Sequence, residues 1–522
     1  MRRPSAPFPH ARPVIRLAVS RPDPFDLLIV DVARCFVSVN KGRMARSGRT
    51  ARQGSIMGEK TARASADTTQ ADATGIPGKN RSASPYPPAG AAWGIVALLF
   101  LIYTLSFIDR QILALLVEPI KRDLQASDVA FSLLSGFAFA LFYTVFGLPF
   151  ARYADRGSRT GLIAFGVALW SLATAACGLA RGFWGLFGAR IMVGVGEATL
   201  TPAANSLIAD LFPPAKLGRA LSVYSLGIPI GSAMAFILGG AVVDWVASLP
   251  PIDWPAVGEL HGWQIAFVAV GLPGLLFAIV MLVLPEPARR GRRLTGGAEN
   301  LPLRKVAAYI LRHAPAYAPL FFGAAMLSML GYGATLWMIA FFARVHGLAA
   351  GEAGYVFGLI LLVCGTGGIL LGGTLADLWF ARGRRDAHLA LLLIGTLLGL
   401  PFGIAYPLVD GLVPAVALLA ISTLISNMPW GLAYAAIATI TPNELRGQMA
   451  ALYLFIVNII GLGLGPSVIA VFTDYVFADE AAIGASLAAA TAVIAPIAAI
   501  LFAIGRRPFA RAVAGMKVME QS

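Results

Sequence analysis

The sequence predicts an all-α membrane protein with twelve transmembrane helices in two pseudo-symmetric halves of six. Hydrophobic residues make up 57% of the chain and charged residues only 13%. With a mean hydropathy of +0.74, this composition is too apolar for a water-soluble protein of this size. The apolar residues fall into about twelve segments long enough to cross a bilayer. Two loop motifs also recur at matching places in the first and second six segments, which indicates an internal repeat.

The charges between the apolar segments predict how the chain crosses the membrane. Lys and Arg are concentrated in the connections after even-numbered spans and in the C-terminal tail, whereas the opposite connections carry Lys121, Arg122, Arg181 and Arg344. Because positively charged connections stay in the cytoplasm, we expect both termini on the cytoplasmic side of the inner membrane. The net charge of +14 therefore reflects topology and the basic N-terminal residues, and does not indicate nucleic-acid binding. The spans are predicted to begin near residues 93, 130, 160, 183, 220, 263, 317, 352, 387, 412, 445 and 481.

The segments divide the chain into five parts. Residues 1–91 form a basic extension rich in Pro, Ser and Gly, which we expect to be disordered, and Met57 is an alternative start of translation. The first six-helix half is predicted at 92–288 and the second at 316–507. A basic cytoplasmic linker, 289–315, joins the halves, and 508–522 form a cytoplasmic tail.

The internal repeat is carried by two pairs of connections. The segment from Gly147 to Arg159 follows span 2, and a similar segment that includes Asp377 follows span 8. A second pair, containing Gly218 and Gly447 at an offset of 229 residues, follows spans 4 and 10. Two recurring connections at matching positions predict two halves with the same sense of chain direction.

Two six-helix halves with this loop after span 2 resemble the major facilitator superfamily over about residues 92–507. More narrowly, four stretches resemble its bacterial Spinster-like branch: FIDRQILALLVEPIK, GFAFALFYTVFGLPFARYADR, ARIMVGVGEATLTPAANSLIADLFPP and NELRGQMAALYLFIVNIIGLGLGP. The resemblance implies a secondary transporter that alternates access between two rocking halves, in a branch associated with lysophospholipids and sphingoid phosphates. It also implies a conformational latch near the cytoplasmic ends of spans 2 and 8, with Gly147, Asp155, Arg156, Arg159 and Asp377 as candidates. A simple topogenic cluster of arginines is the alternative for these residues.

Four charged residues inside spans 1 and 4 form the candidate site. Asp109, Arg110, Arg190 and Glu197 lie in otherwise apolar runs, where a charge costs several kcal/mol by insertion scales. The helical rise places Asp109 and Arg190 at similar depth, with Glu197 two turns deeper on the Arg190 face. We expect Asp109 and Glu197 to couple protons and Arg110 and Arg190 to bind an anionic group. An ion-paired lock between spans 1 and 4 is the structural alternative.

The substrate prediction depends on the contrast between the halves. The spans of the second half hold few charges, so an amphiphile could place its headgroup on the first half and its chain along the second. Lysophospholipids or sphingoid phosphates fit this asymmetry, and a small organic anion or sugar acid is the alternative. Four residues in spans 7 and 10 are further candidates for the substrate cavity, namely Tyr332, Trp337, Asn427 and Trp430.

Other classes of function are less consistent with the sequence. It contains no GxxxxGK[ST] phosphate loop, which argues against a primary pump, and we expect no enzyme activity. Its three cysteines form no CxxC and its five histidines are scattered, so we expect neither a metal nor a cofactor. The expected partners are the bilayer, the substrate and protons, with the chain acting as a monomer. A membrane sensor on the same fold, without transport, remains an alternative.

Overall fold

Eleven helices in the described part of the chain are long and apolar enough to cross a membrane. The computed structural model describes residues 86–250, 252–254, 258–290, 303–442 and 445–521, so the predicted extension at 1–91 and Met57 lie almost wholly outside it. The helices correspond to eleven of the twelve predicted spans. They are Ala89–Leu115 (span 1), Asp128–Ala154 (span 2), Arg159–Cys177 (span 3), Pro214–Ala247 (span 5), Gly262–Val283 (span 6), Ala308–His346 (span 7), Ala350–Ala381 (span 8), Ala387–Ala405 (span 9), Leu412–Ile440 (span 10), Arg446–Phe477 (span 11) and Glu480–Met516 (span 12).

The fourth predicted span is absent from that group because it is built differently. It consists of two helices end to end, Phe183–Glu197 and Leu200–Leu211, with 15 and 12 residues. Together they extend about 40 Å, which exceeds the hydrocarbon thickness of about 30 Å. This span (span 4) also contains the charged residues Arg190 and Glu197. It is therefore long enough to cross, but it is broken into two helices that are each too short to cross alone.

The break in span 4 has a counterpart in span 10. That span divides into Leu412–Ser426 and Pro429–Ile440, again with 15 and 12 residues. At the first break Thr199 Oγ1 donates to the Gly196 carbonyl, and at the second Asn427 Nδ2 donates to the Thr423 carbonyl. Side chains that bond the preceding turn compete with the helical ladder and favour such breaks. The structure thus repeats the sequence offset between the halves.

Two helices extend across boundaries that the sequence predicted. The helix of span 7 begins at Leu303, inside the predicted linker 289–315, and the helix of span 12 runs from Ile483 to Gln521, through most of the predicted tail. Pro315 and Pro508 lie inside these helices and do not end them. Hydropathy marks where a segment leaves the apolar range, but a helix continues as long as its backbone hydrogen bonds are satisfied, so it exceeds the hydrophobic stretch.

Smaller elements connect the spans or interrupt them. A short helix, Val117–Leu124, follows span 1. Before span 6, strands Ile252–Trp254 and Gly258–Leu260 pair antiparallel, with Ile252 opposite Leu260. Wider π-helical turns occur at Leu133–Phe137 in span 2 and Leu361–Gly365 in span 8, and at Val457–Gly463 and Phe472–Phe477 in span 11. Such turns are frequent at functional sites.

Spans 5 and 8 join the two halves through glycines. A Cβ on Gly354 would lie 2.8 Å from the Phe236 carbonyl, and one on Gly240 would lie 3.0 Å from the Gly351 carbonyl. Close approach of this kind is the usual way in which membrane helices pack. These residues lie at the end of the molecule that also holds the connections between spans 1 and 2 and between spans 7 and 8. We call this end the closed end.

Charged side chains also join the halves at the closed end. Arg344, at the end of span 7, binds Asp128 through Nη1 and Nη2 at 2.7 and 2.9 Å and Glu118 at 2.8 Å. Lys121 of the first half pairs with Asp128 and, at 2.9 Å, with Glu480 of the second half. At the opposite end of the molecule, the ion pairs of Arg159 with Glu286 and of Arg506 with Asp386 each stay within one half. The halves are therefore tied together mainly at the closed end.

Candidate functional site

The first element of the site is a buried ion pair between spans 1 and 4. Arg110 Nη2 lies 2.5 Å from Glu197 Oε2, and the side chains are 12% and 1% exposed. The Arg110 guanidinium also faces three aromatic rings, with centroids at 5.1 Å for Phe107, 4.5 Å for Phe139 and 5.4 Å for Tyr143. Cation–π contacts of this kind partly replace water around a buried guanidinium. Arg110 keeps a small exposed area, unlike the fully buried Asp109 and Arg190.

The second element is Asp109 with Arg190, and it is not a closed ion pair. Arg190 Nη1 donates to the backbone carbonyl of Asp109 at 3.2 Å. Both side chains are fully buried, yet neither carboxylate oxygen of Asp109 has a hydrogen-bond partner among the described residues. Arg190 Nε and Nη2 also have no partner there. Sequence reasoning placed these residues at one depth, but it could not show that the carboxylate itself is unpartnered.

Glycines of span 4 set the spacing of this cluster. A Cβ on Gly194 would lie 2.7 Å from the Phe139 carbonyl of span 2, and a Cβ on Gly196 would lie 2.7 Å from the Trp170 backbone nitrogen of span 3. No larger residue fits either position without moving a neighbouring backbone. The glycines therefore bring spans 2, 3 and 4 close enough to enclose the charged groups.

A model of the Major Facilitator Superfamily matches residues 99–466. The chain belongs to the major facilitator superfamily. An MFS-type efflux pump of Mycolicibacterium smegmatis is 32% identical, over 79% of this chain and 92% of that protein. Human protein spinster homolog 1 is 31% identical over 53% of this chain and 53% of its own length, so this chain spans about half of that relative.

A solved structure places the chain within the superfamily. It is a bacterial homolog of the human lysosomal transporter Spinster, described as inward-facing and unoccupied, and it matches with a TM-score of 0.68 and 28% identity. The match covers 82% of this chain and 98% of that one. This major facilitator is therefore a Spinster-like, multi-pass membrane transporter and not an enzyme.

Tyr103 of the first half and Tyr332 of the second half interact with Arg110, and each of the two has a tyrosine neighbour in its own half. Sequence reasoning did not single out these tyrosines as a group. Tyr103 and Tyr224 of the first half stack at 5.0 Å, while Tyr332 of the second half interacts electrostatically with Arg110 and Tyr103. Tyr453, which is 4% exposed, interacts in turn with Tyr332. Tyr103 and Tyr332 are 229 residues apart, as are Tyr224 and Tyr453. The signal was thus present in the sequence, as a constant offset between aromatic residues of the two halves.

The predicted cavity residues of spans 7 and 10 separate into two groups. Tyr332 meets Trp430 edge to face at 5.7 Å, and both are partly exposed. Asn427 is also partly exposed, but its amide nitrogen is bound to the Thr423 carbonyl. Trp337 is fully buried near the closed end, where it donates to the Pro466 carbonyl at 2.9 Å and its ring lies 6.1 Å from that of Phe131. The structure does not bring Trp337 to the Arg110 cluster, because it is part of the apolar core that joins the halves.

The predicted latch residues also separate. Arg159 is fully buried and binds Asp210, as well as Glu286 at 2.6 Å. Asp155, Arg156 and Asp377 are exposed, and a Cβ on Gly147 would meet no atom within 4 Å. The Asp155 carbonyl, rather than its side chain, accepts a bond from Arg289 at 2.6 Å. In this conformation the charge cluster beside span 2 is therefore centred on Arg159, with acidic partners that the loop motif did not indicate.

Glu286 is held in its charged form by this cluster. Burial acts to raise the pKa of Glu286, but hydrogen bonds from the Thr160 backbone and side chain and from Arg159 outweigh burial and lower it below the ordinary value. Glu286 lies three residues before the predicted linker between the halves, so the cluster anchors the segment that leads into that linker to span 3.

No group of three or more His, Cys, Asp or Glu residues suited to a metal occurs in the part of the chain that the structure describes. Cys177 is buried and Cys364 partly exposed, and both are free thiols.

Proposed function

We propose that the chain is a proton-coupled secondary transporter of the inner membrane, acting as a monomer by alternating access, with Asp109 as the proton acceptor. The observation that supports this role is the buried Asp109 carboxylate without a hydrogen-bond partner, directly beside the Arg110–Glu197 ion pair. An isolated carboxylate in a low-dielectric site favours its protonated form. A group whose charge depends on its neighbours in this way can link proton binding to ligand binding.

The coupling follows from competition for Arg110. An anionic ligand that binds the Arg110 guanidinium replaces Glu197 as its partner, so Glu197 would remain in a site where its side chain is 1% exposed. An unpaired carboxylate there is costly unless it takes up a proton. Substrate binding would therefore favour protonation within the pair of acids, Asp109 and Glu197, and proton release would favour substrate release.

The proposed orientation makes the closed end the outer end. The Lys- and Arg-rich connections lie at the opposite end, and positively charged connections stay in the cytoplasm. With both termini cytoplasmic, the described conformation opens inward, and the inward-facing state of the similar bacterial structure supports this assignment.

For the substrate we propose an anionic amphiphile such as a lysophospholipid or a sphingoid phosphate. Arg110 offers the planar donors that suit a phosphate or carboxylate group. Exposed apolar side chains of span 11, including Leu454, Phe455 and Leu464, can accept an acyl chain. Since a chain needs an apolar wall and no hydrogen bonds, this arrangement separates headgroup from tail.

The tyrosines favour a second candidate, a small organic anion or sugar acid. Hydroxyl groups from both halves near Arg110 can bind a small polar ligand on opposite sides, which an apolar second half could not do. Arg344, although buried in span 7, is held at the closed end by Asp128 and Glu118 and adds no donor to this group.

A proton-flux assay tests the role of Asp109. Proteoliposomes that contain a pH-sensitive dye would receive a lysophospholipid, a sphingoid phosphate or a hexuronate in turn. We expect Asp109→Asn to insert normally but to lose substrate-induced proton movement, while Asp410→Asn, in an exposed loop, should retain it. Undiminished proton movement in Asp109→Asn would refute the assignment.

A chain-length series tests the substrate. Affinity for lysophospholipids should rise by about 0.8 kcal/mol for each fully buried methylene, and less where the chain stays partly hydrated. Flat affinity with chain length, together with binding of a hexuronate, would favour the small-anion candidate. Binding of the whole series unchanged in Arg110→Ala would exclude the headgroup role of Arg110.

A further inference from the structure

Trp170 of span 3 is a fully buried tryptophan with an unusual lack of partners. Its indole nitrogen has no hydrogen-bond partner among the described residues. Other buried tryptophans in the described chain are satisfied: Trp263 Nε1 donates to Asp123 at 2.8 Å, and Trp337 Nε1 donates to the Pro466 carbonyl at 2.9 Å. A buried N–H without an acceptor is costly, so one that persists calls for a functional explanation.

The position of Trp170 is fixed by close packing against span 4. A Cβ on Gly196 would lie 2.7 Å from the backbone nitrogen of Trp170 and 2.8 Å from the Trp170 Cβ. A Cβ on Gly166, one turn earlier in span 3, would lie 2.7 Å from the Gly196 carbonyl. Because backbone meets backbone here, the indole cannot move far without displacing span 4. Trp170 is therefore a rigid donor next to the charged cluster.

The Asp109 carboxylate is the acceptor that this donor approaches. The Trp170 indole comes close enough to act on that carboxylate, although the two do not form an aligned hydrogen bond in this conformation. The ionisable side chains that interact with Asp109 among the described residues are Cys177 from span 3, and Arg190 and Glu197 from span 4. Arg110 is bound to Glu197, and the one hydrogen bond found for Arg190 goes to the backbone of Asp109.

We propose that Trp170 is a positioning residue for Asp109, whose indole N–H binds the carboxylate when it ionises and so sets the pH at which the proton is released. The proposal rests on the proposed role of Asp109 as proton acceptor. In the protonated state the carboxyl group needs no such donor, which is consistent with both groups being unpartnered. After proton loss, a small rotation of the Asp109 side chain gives the charge a neutral, fixed donor without recruiting Arg110 from Glu197.

The expected effect of removing the donor has a definite sign. The N–H stabilises the ionised form more than the neutral form, so without it Asp109 keeps its proton to higher pH. Because the same N–H bonds a neutral carboxyl group less strongly, its removal is expected to shift the titration by about one pH unit. Trp170→Phe should therefore move the titration of Asp109 upward by about that amount.

Infrared spectroscopy can follow this titration without any substrate. The protonated carboxyl group of a buried Asp gives a C=O stretching band, and the band that disappears in Asp109→Asn belongs to Asp109. The pH at which this band is half lost would be measured in the purified full-length protein, in wild type, Trp170→Phe and Trp263→Phe. Trp263→Phe is the matched control, since it also removes an indole bond to a carboxylate, but near the closed end.

The outcomes separate the two proposals. An upward shift in Trp170→Phe with no shift in Trp263→Phe supports the positioning role. No shift in Trp170→Phe, or an equal shift in both variants, overturns it, and Trp170→Met provides the same test if the Phe variant does not fold. If the band shifts as expected but Asp109→Asn retains substrate-induced proton movement, the proposed transport role fails while the contact between Trp170 and Asp109 stands.

Discussion

Breaking the Arg110–Glu197 pair from either side should have different consequences. Arg110→Gln leaves the Glu197 carboxylate, 1% exposed, without its only hydrogen-bonded cation among the described residues. Glu197→Gln leaves the Arg110 guanidinium, but that group keeps the rings of Phe107, Phe139 and Tyr143. The two variants therefore remove the same contact and differ in what remains buried.

The magnitudes decide how each variant responds to pH. Removing one partner of a buried ion pair costs about 3–5 kcal/mol. Protonating a glutamate with an ordinary pKa at pH 7 costs about 4 kcal/mol. This cost is no larger than that of keeping an unpaired charge buried, so Glu197 should bind a proton on folding in Arg110→Gln. The folded state then holds more protons than the unfolded state, and stability falls by about 1.4 kcal/mol for each pH unit above the ordinary range of a glutamate. The guanidinium in Glu197→Gln cannot be neutralised in this way, so the loss of stability in that variant should not vary with pH.

Thermal unfolding in detergent between pH 5 and 8 measures the difference. Relative to wild type, we expect the Tm deficit of Arg110→Gln to grow as pH rises, and that of Glu197→Gln to stay constant. The double variant Arg110→Gln/Glu197→Gln should be more stable than Arg110→Gln at pH 8, because no unpaired charge remains. A pH-independent deficit in Arg110→Gln, or a double variant worse than either single one, would contradict this account of the pair.

Three further outcomes are expected. Arg344→Gln removes the cation by which the second half binds the acidic residues of the first half at the closed end. A cysteine introduced at Ser467 should then react faster with a membrane-impermeant maleimide, and an unchanged rate would exclude a gating role. Glu286→Gln should lower the Tm at neutral pH. The difference from wild type should disappear as pH falls below about 4, because the lowered pKa of Glu286 gives stability that is lost on acidification. A difference in Tm that stays constant down to that pH would argue against the ion pair. Gly196→Ala should destabilise the protein by about 1–3 kcal/mol, since its Cβ would lie 2.7 Å from the span 3 backbone. A Cβ at Gly188 in the same helix meets no atom within 4 Å, so Gly188→Ala should be tolerated. Equal Tm values for the two variants would show that the packing relaxes.

The sequence by itself determined the membrane fold and its repeat. In lipid every backbone polar group must be satisfied within its own segment, so an apolar run of sufficient length becomes a spanning helix whatever surrounds it. The presence of Asp109, Arg110, Arg190 and Glu197 in such runs also marked the site, because buried charge is too costly to occur without a role. These conclusions depend on local composition and spacing, which the sequence displays directly.

The tertiary structure alone decided which of these groups are partners. Asp109 and Arg110 are adjacent, and their depth in the membrane predicts that Asp109 lies near Arg190. In the structure the rotation of the helices about their axes brings Arg110 to Glu197 and leaves the Asp109 carboxylate without a hydrogen-bond partner among the described residues. Trp337 and Tyr332 are five residues apart on one helix, yet only Tyr332 reaches the cluster. Successive helical residues point about 100° apart, and which direction meets a neighbouring span depends on contacts distant in sequence. Pairings such as Arg344 with Asp128 exist only once the two halves are packed together.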